Sequence, residues 1–131
     1  MSERKRTVAV VDDDPRVLES LENLLESAGY AVRMFSSARA LTGAGLSDVD
    51  CVITDIGMPD VDGFELHEFV KQARPDLPVF LVTGRDVIGD QSRALAKGVS
   101  GFFRKPFDGP ALLAAVGDAL RRQGGNDATV R

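Results

Sequence analysis

The sequence has few of the residues that form covalent or metal cross-links: it contains one cysteine, one histidine and no tryptophan. One cysteine cannot close an intrachain disulfide, and one Cys with one His cannot form a Cys/His metal cluster. No apolar run approaches the ~20 residues of a membrane span. The start, MSERKRTVAVV, is too polar for a signal peptide. We therefore expect a reduced, cytoplasmic domain.

The composition is that of one folded domain with a mild negative charge. The chain has 131 residues, of which 44% are apolar, and its 16 basic and 20 acidic residues give a net charge of -4. This length fits one domain, and the apolar content is sufficient for a core. The acidic balance argues against broad electrostatic binding to nucleic acid or to anionic membranes.

Short apolar runs alternate with longer amphipathic stretches along the chain. The runs predict five strands: TVAVV, AVRMF, DCVIT, PVFLV and GFFR, at residues 7–11, 31–35, 50–54, 78–82 and 101–104. The stretches between and after them predict five helices, of which the fourth, at residues 86–97, has few apolar anchors. Strict alternation of this kind predicts an α/β fold, with a parallel sheet covered by helices on both faces.

Polar residues recur at the carboxyl ends of these predicted strands. Asp12 and Asp13 follow the first strand, Asp55 the third, Thr83 the fourth and Lys105 the fifth. Ligands of open α/β sheets bind outside the carboxyl ends of the strands, where the strand order reverses. The sequence thus predicts one site made of three carboxylates, a hydroxyl and an ammonium group.

This set of groups favours phosphoryl chemistry assisted by a metal ion. Clustered carboxylates repel one another, and a hard divalent cation such as Mg²⁺ relieves that repulsion through oxygen ligands. A metal with open positions, together with a lysine and a hydroxyl, can stabilise a phosphoryl group in transfer. A carboxylate can itself accept the group as an acyl phosphate, although the spacing does not identify which aspartate does so.

At these residues the sequence resembles the receiver domain of bacterial two-component response regulators. The resemblance extends over residues 7–120 and is closest in style to the receivers of LuxR-type regulators. It is carried by four motifs at the predicted strand ends: VVDDD, TDIGMPDVDG, VTG and FFRKPF, at residues 10–14, 54–63, 82–84 and 102–107. The implied fold is a flavodoxin-like (βα)5 three-layer sandwich with strand order 2-1-3-4-5.

The resemblance also implies a role for each matching residue. Asp55 is the implied phosphoacceptor and, with Asp13, a direct Mg²⁺ ligand. Asp12 is implied to bind the ion through water. The backbone carbonyl of Gly57 is the implied further ligand, and Lys105, in an implied cis peptide with Pro106, pairs with the phosphoryl oxygens.

Thr83 and Phe102 match the switch residues of the family. The resemblance implies that the Thr83 hydroxyl moves onto the phosphoryl group and that Phe102 turns inward, which changes the face formed by the fourth helix, fifth strand and fifth helix. The implied phosphodonor is a sensor histidine kinase. The implied recipient of the signal is a protein partner or a covalent output domain, and the changed face is a candidate homodimer surface. Neither nucleic acid nor a membrane is an expected partner.

Two positions near the expected site carry glycine, which has no side chain. Gly57 stands two residues after the phosphoacceptor, where many relatives carry a larger side chain, and Gly84 follows Thr83. We hypothesise that water reaches the phosphoryl group easily and that the phosphoform is short-lived. A side chain of Arg85 that reached over this gap would remove the reason for the hypothesis. The single histidine, His67, is expected to be solvated on the third helix and receives no catalytic role.

Two other functions are alternatives to a phosphorylated receiver. Asp12-Asp13-Asp14 contains the Asp-x-Asp start of haloacid-dehalogenase-type phosphatases, but Arg16 stands where that family has Thr or Val. A receiver-like scaffold that is never phosphorylated is the other alternative. We expect no enzyme beyond catalysis of its own phosphorylation and dephosphorylation. The expected division is an N-terminal extension at residues 1–6, a receiver at 7–122 and a flexible tail or linker stub at 123–131.

Overall fold

Five strands and five helices alternate along the chain, as the sequence predicts. The computed structural model describes the backbone of residues 5–128 and the side chains of residues 5–122. The strands are β1 (Thr7–Val11), β2 (Ala31–Phe35), β3 (Cys51–Asp55), β4 (Val79–Thr83) and β5 (Gly101–Arg104). The helices are α1 (Pro15–Ser27), α2 (Ala38–Ala44), α3 (Gly63–Ala73), α4 (Asp90–Ala96) and α5 (Gly109–Ala128).

The strands form one parallel sheet in the order β2-β1-β3-β4-β5. This is the predicted flavodoxin-like order, and it places β1 and β3 side by side at the point where the strand order reverses. In the register, Val11 pairs with Thr54, and Asp55 pairs with Val82. The carboxyl ends of β1, β3 and β4 therefore lie at the same edge of the sheet.

Helices cover both faces of the sheet, which gives three layers. One core lies between the sheet and α2, α3 and α4; it includes Leu41, Phe64 and Ala94. The second core lies between the opposite face and α1 and α5; it includes Leu21 and Leu112. Successive β1 residues alternate between the two cores, because side chains along a strand point to opposite faces.

Local capping chemistry sets where the helices next to the sheet edge begin. Asp14 caps α1 by accepting a hydrogen bond from the Arg16 N–H, and Pro15 occupies the first helical position. Asp62 caps α3 in a capping box with Glu65, each side chain accepting the other residue's backbone N–H. The helix starts are thereby fixed directly after the loops that leave β1 and β3.

Four elements have bounds that differ from the predicted ones. β3 and β4 each begin and end one residue later than predicted. α4 begins at Asp90, not at residue 86, because Gly89 before it has φ +93, a left-handed conformation outside the helical range. α5 extends to Ala128, so most of the expected tail at 123–131 is helical, while residues 1–4 of the expected extension and residues 129–131 lie outside the described residues.

The expectation for His67 is wrong. This side chain is only 5% exposed on α3, and its Nδ1 atom has no hydrogen-bond partner among the described residues.

Within the part of the chain that the structure describes, none of the helices combines the length and apolar character that a bilayer crossing requires.

Candidate functional site

Three aspartates meet at the carboxyl edge of the sheet. Asp12 and Asp13 follow β1, Asp55 is the last residue of β3, and each offers a carboxylate oxygen within 4.8 Å of the others. Asp12 is fully buried and Asp55 is 6% exposed, whereas Asp13 is exposed. The structure thus brings together the three carboxylates that the sequence predicts as a cluster.

Lys105, the residue after β5, lies next to this cluster. Its Nζ donates a hydrogen bond to Asp12 Oδ2 at 2.7 Å and lies 3.4 Å from Asp55 Oδ1. Burial works to lower the pKa of Lys105, but the hydrogen bond to Asp12 and the charge of Asp55 outweigh it, so the pKa is raised. Lys105 therefore stays charged at neutral pH. The Lys105–Pro106 peptide is cis, as implied by the resemblance.

The electrostatic environment of Asp55 opposes its ionisation. Burial raises the pKa of the Asp55 carboxyl above its ordinary value, and the negative charge of Asp12 raises it further, while Lys105 acts in the opposite direction. Three converging carboxylates supply oxygen ligands of the kind that a hard divalent cation prefers.

Gly63 allows the loop after β3 to pass close to Asp55. A Cβ atom at Gly63 would lie 2.4 Å from the backbone oxygen of Asp55, and the Gly63 N–H donates to the Ile56 carbonyl at 2.9 Å. In the sequence, Gly63 stands out only as the last residue of the TDIGMPDVDG motif. The requirement was missed because the close approach arises from the path of the loop, which the local sequence does not specify.

Gly57, the predicted backbone ligand, lies in the same loop. A Cβ atom there would meet the Cδ of Arg85 at 3.7 Å, which is ordinary contact. The aliphatic part of Arg85 therefore lies next to the space that a larger residue at position 57 would occupy.

Thr83 and Phe102 lie on the two strands beyond β3. Thr83 ends β4, is 1% exposed and accepts a hydrogen bond at Oγ1 from the Arg85 N–H at 3.0 Å. Phe102 is partly buried on β5 and packs against the core that contains α4. The Arg104 guanidinium lies 5.6 Å from the centre of its ring. Thr83 and Phe102 lie on neighbouring strands, because β4 and β5 are paired in the sheet.

Arg85 also forms an ion pair that the sequence did not indicate. Its Nε donates to Asp90 Oδ2 at 2.8 Å and its Nη2 to Asp90 Oδ1 at 3.2 Å. The Asp90 side chain is 5% exposed, whereas that of Arg85 is 39% exposed. An acidic residue five positions after an arginine is common on surfaces, so only the fold shows that this carboxylate is buried.

Comparisons with known proteins agree with this geometry. The family model for the response regulator receiver domain matches residues 8–117. Transcriptional regulatory protein FixJ of Azorhizobium caulinodans is 40% identical over 116 residues, which cover 88% of this chain and 55% of that protein. DNA-binding transcriptional regulator NtrC of Rhizobium meliloti is 38% identical over 115 residues, covering 87% of this chain and 24% of that protein.

A solved structure shows the same fold. The CheY-like response regulator receiver domain protein from Methanospirillum hungatei superposes with a TM-score of 0.86 at 27% identity, over 94% of this chain and 99% of that one. The chain thus spans about half of FixJ and about a quarter of NtrC, yet nearly all of this separately solved domain.

Proposed function

This chain belongs to the response regulator receiver domain family, and we propose that it accepts a phosphoryl group on Asp55 from a phosphohistidine of a sensor histidine kinase. The observation that carries the proposal is the position of Lys105 Nζ, 3.4 Å from Asp55 Oδ1 and 2.7 Å from Asp12 Oδ2. Phosphoryl transfer needs a nucleophile next to fixed positive charge. The same edge of the sheet supplies both.

In the proposed reaction, a carboxylate oxygen of Asp55 attacks the phosphorus atom. The phosphorus–nitrogen bond of the donor breaks, its electron pair returns to the imidazole, and an acyl phosphate forms on Asp55. Lys105 stabilises negative charge on the phosphoryl oxygens. Hydrolysis by water returns Asp55 to a carboxylate and releases inorganic phosphate. Receiver domains in general are not classical enzymes, and we propose that this chain catalyses only these two reactions on itself.

We propose that Asp12, Asp13, Asp55 and the Gly57 carbonyl hold Mg²⁺ during the transfer. An all-oxygen donor set with few protein ligands fits this ion. A bound Mg²⁺ offsets the charge of the carboxylates and of the phosphoryl group. Asp12 already accepts hydrogen bonds from Lys105 and from the Asp14 N–H, which is consistent with a ligand that acts through water.

The proposed docking surface for the donor is a groove of this chain next to the aspartate cluster. A groove of about 560 Å³ between α1 and the loop after β5 is lined by the apolar residues Val17, Pro106 and Phe107 and by the polar residues Asp14, Arg16, Ser20 and Lys105. A partner helix that fills this groove would hold its phosphohistidine near Lys105. The proposed donor is a protein with such a helix, and the reaction belongs in the cytoplasm.

The proposed output surface is formed by α4, β5 and α5. Around α4, Val87, Ile88 and Leu95 are apolar and exposed, with Ile88 fully accessible. After phosphorylation, the Thr83 hydroxyl would donate to a phosphoryl oxygen and Phe102 would turn inward, which alters this surface. A downstream protein, a covalent output domain or a second copy of the chain would bind the altered form; direct nucleic-acid binding is not part of the proposal.

Phosphotransfer followed by intact-mass measurement tests the proposal. With Mg²⁺ and either a phosphorylated kinase or a small acyl phosphate, we expect the wild type to gain the mass of one phosphoryl group. Asp55→Asn should gain none, whereas Asp86→Asn, which removes an exposed carboxylate outside the cluster, should behave as the wild type does. A wild type without added mass contradicts the proposal. Release of phosphate from many small substrates per chain would instead favour a phosphatase.

A further inference from the structure

The Arg85 side chain connects three parts of the molecule. Its backbone N–H donates to the Thr83 hydroxyl at 3.0 Å, its Cδ lies beside Gly57, and its guanidinium pairs with Asp90 at the start of α4. Arg85 thus contacts the Thr83 hydroxyl, lies beside the acidic site and forms an ion pair with α4, the helix for which the sequence offers few apolar anchors. Thr83 and Asp90 are both nearly inaccessible to solvent.

The start of α4 depends on this ion pair. The residue before Asp90 is Gly89, which caps α4 without a side-chain hydrogen bond, and α4 is only seven residues long. Asp90 accepts two hydrogen bonds from Arg85, and its buried carboxylate requires this positive partner, since an unpaired buried charge is costly. The pair therefore favours the observed position of the first turn of α4.

A phosphoryl group on Asp55 would act on Arg85 in two ways. It adds about two negative charges near the Arg85 stem, so the guanidinium gains a competing partner. It also attracts the Thr83 hydroxyl, which would then turn away from the Arg85 N–H. Both effects weaken the contact between Arg85 and Asp90.

We propose that Arg85 exchanges Asp90 for the phosphoryl group and thereby releases the amino-terminal turn of α4. This inference rests on the proposed phosphorylation of Asp55. The Arg85–Asp90 pair stabilises the unphosphorylated arrangement and has no role in the chemistry of transfer. Arg85 and Asp90 are positioning residues that link the occupancy of Asp55 to the α4 surface with Val87 and Ile88.

The test compares beryllofluoride binding, in the presence of Mg²⁺, for the wild type, Asp90→Asn, Arg85→Gln and Asp86→Asn. Removal of the Asp90 charge frees Arg85 for the phosphoryl mimic, so Asp90→Asn should bind beryllofluoride about fivefold more tightly, as expected for a pair whose arginine is partly exposed to solvent. Arg85→Gln removes the side chain that is proposed to contact the phosphoryl mimic, so this variant should not bind beryllofluoride more tightly than the wild type. Asp86→Asn breaks the exposed pair with Arg104 and serves as the matched control.

Amide hydrogen exchange in α4 provides the second measurement. Beryllofluoride should speed exchange of the first α4 amides in the wild type and in Asp86→Asn. In Asp90→Asn and Arg85→Gln these amides should already exchange about fivefold faster without the mimic, and change little on its addition. Arg85→Lys, which keeps the charge, replaces Arg85→Gln if that variant does not fold.

The outcomes separate this inference from the proposed function. If the wild type does not respond to beryllofluoride near Thr83 and Lys105, phosphorylation and the exchange of partners are both overturned. If the wild type responds but Asp90→Asn matches it in affinity and in α4 exchange, only the Arg85–Asp90 exchange is overturned. Tighter binding by Asp90→Asn supports the exchange, because general structural damage would weaken binding.

Discussion

Lys105 Nζ donates to Asp12 Oδ2 at 2.7 Å, although the two residues are 93 positions apart in the chain. Asp12 is fully buried, and its other carboxylate oxygen accepts the Asp14 N–H at 2.9 Å. The lysine is thus the charged partner of a buried carboxylate as well as a neighbour of Asp55. One side chain serves both the stability of the sheet edge and the proposed transfer.

Lys105→Met should therefore reduce stability as well as phosphotransfer. The substitution leaves Asp12 buried without its cation, and removal of one partner from a buried pair is strongly destabilising. Because Lys105 is 20% exposed, we expect a moderated loss of about 2 kcal/mol in the free energy of unfolding, measured by urea denaturation. Phosphoryl uptake from an acyl phosphate should fall sharply in the same sample.

A double variant separates the two roles of Lys105. Asp12→Asn combined with Lys105→Met removes both charges and should recover much of the lost stability, but not the phosphoryl uptake. Equal stability of Lys105→Met and the wild type would show that Asp12 does not depend on this partner.

The alternation of strands and helices was predictable because each element carries its own signal. Residues 31–35 and 101–104 are predicted and observed as strands with identical bounds. The one-residue displacement of β3 and β4 reflects the ladder, since the Ile56 N–H donates to the Val82 carbonyl and extends the pairing past Thr54. The predicted fourth helix begins too early, at residue 86, because helix propensity does not reveal the left-handed conformation of Gly89.

The carboxylate and lysine cluster was also predictable, because parallel strands bring their carboxyl ends to one edge of the sheet. The missed features depend on distances between loops. The close passage of Gly63 past the Asp55 backbone and the burial of Asp90 by Arg85 both require the three-dimensional path of the chain. The burial of His67 was missed for the same reason, since its position on α3 alone did not show which elements cover it.

Gly63→Ala should disrupt the site, whereas Gly57→Ala should not. A Cβ at Gly63 meets the Asp55 backbone at 2.4 Å, so the backbone must shift, at a cost of about 2–3 kcal/mol. A Cβ at Gly57 meets only the Cδ of Arg85, at an ordinary contact distance of 3.7 Å, and should change stability by less than about 0.5 kcal/mol. Thermal unfolding of the two variants checks the difference, and equal midpoints would contradict it.

Asp55→Asn should stabilise the chain in the absence of divalent cations. The variant removes a charge that burial and Asp12 disfavour, as the raised pKa of Asp55 indicates. With Mg²⁺ at 100 times its dissociation constant, the wild type should gain about 2.7 kcal/mol, and the variant should gain much less. Unfolding in EDTA and in Mg²⁺ measures both effects, and an equal response to Mg²⁺ would exclude Asp55 as a ligand.

Gly57→Met should lengthen the lifetime of the phosphoform. The larger side chain would pack against Arg85 and restrict the approach of water to Asp55, and we expect dephosphorylation to slow on the order of fivefold. The loss of acyl phosphate is followed by intact mass after removal of the donor. Gly43→Met, at an open position on α2, is the control. An unchanged rate in Gly57→Met would refute the hypothesis of a water-exposed phosphoryl group.

His67 should make the stability of the chain depend on pH in the mildly acidic range. Burial lowers the pKa of His67 below its ordinary 6.5, as do the positive charges of Lys71 and Lys97, while Glu68 acts in the opposite direction. The unfolded chain then binds a proton more readily than the folded one, so stability falls as the pH drops below about 7. His67→Leu should reduce this fall in urea unfolding between pH 7.5 and 5.5. Because His67 is the only histidine, its NMR signal reports the pKa directly, and titration of the folded protein at or above 6.5 would contradict the prediction.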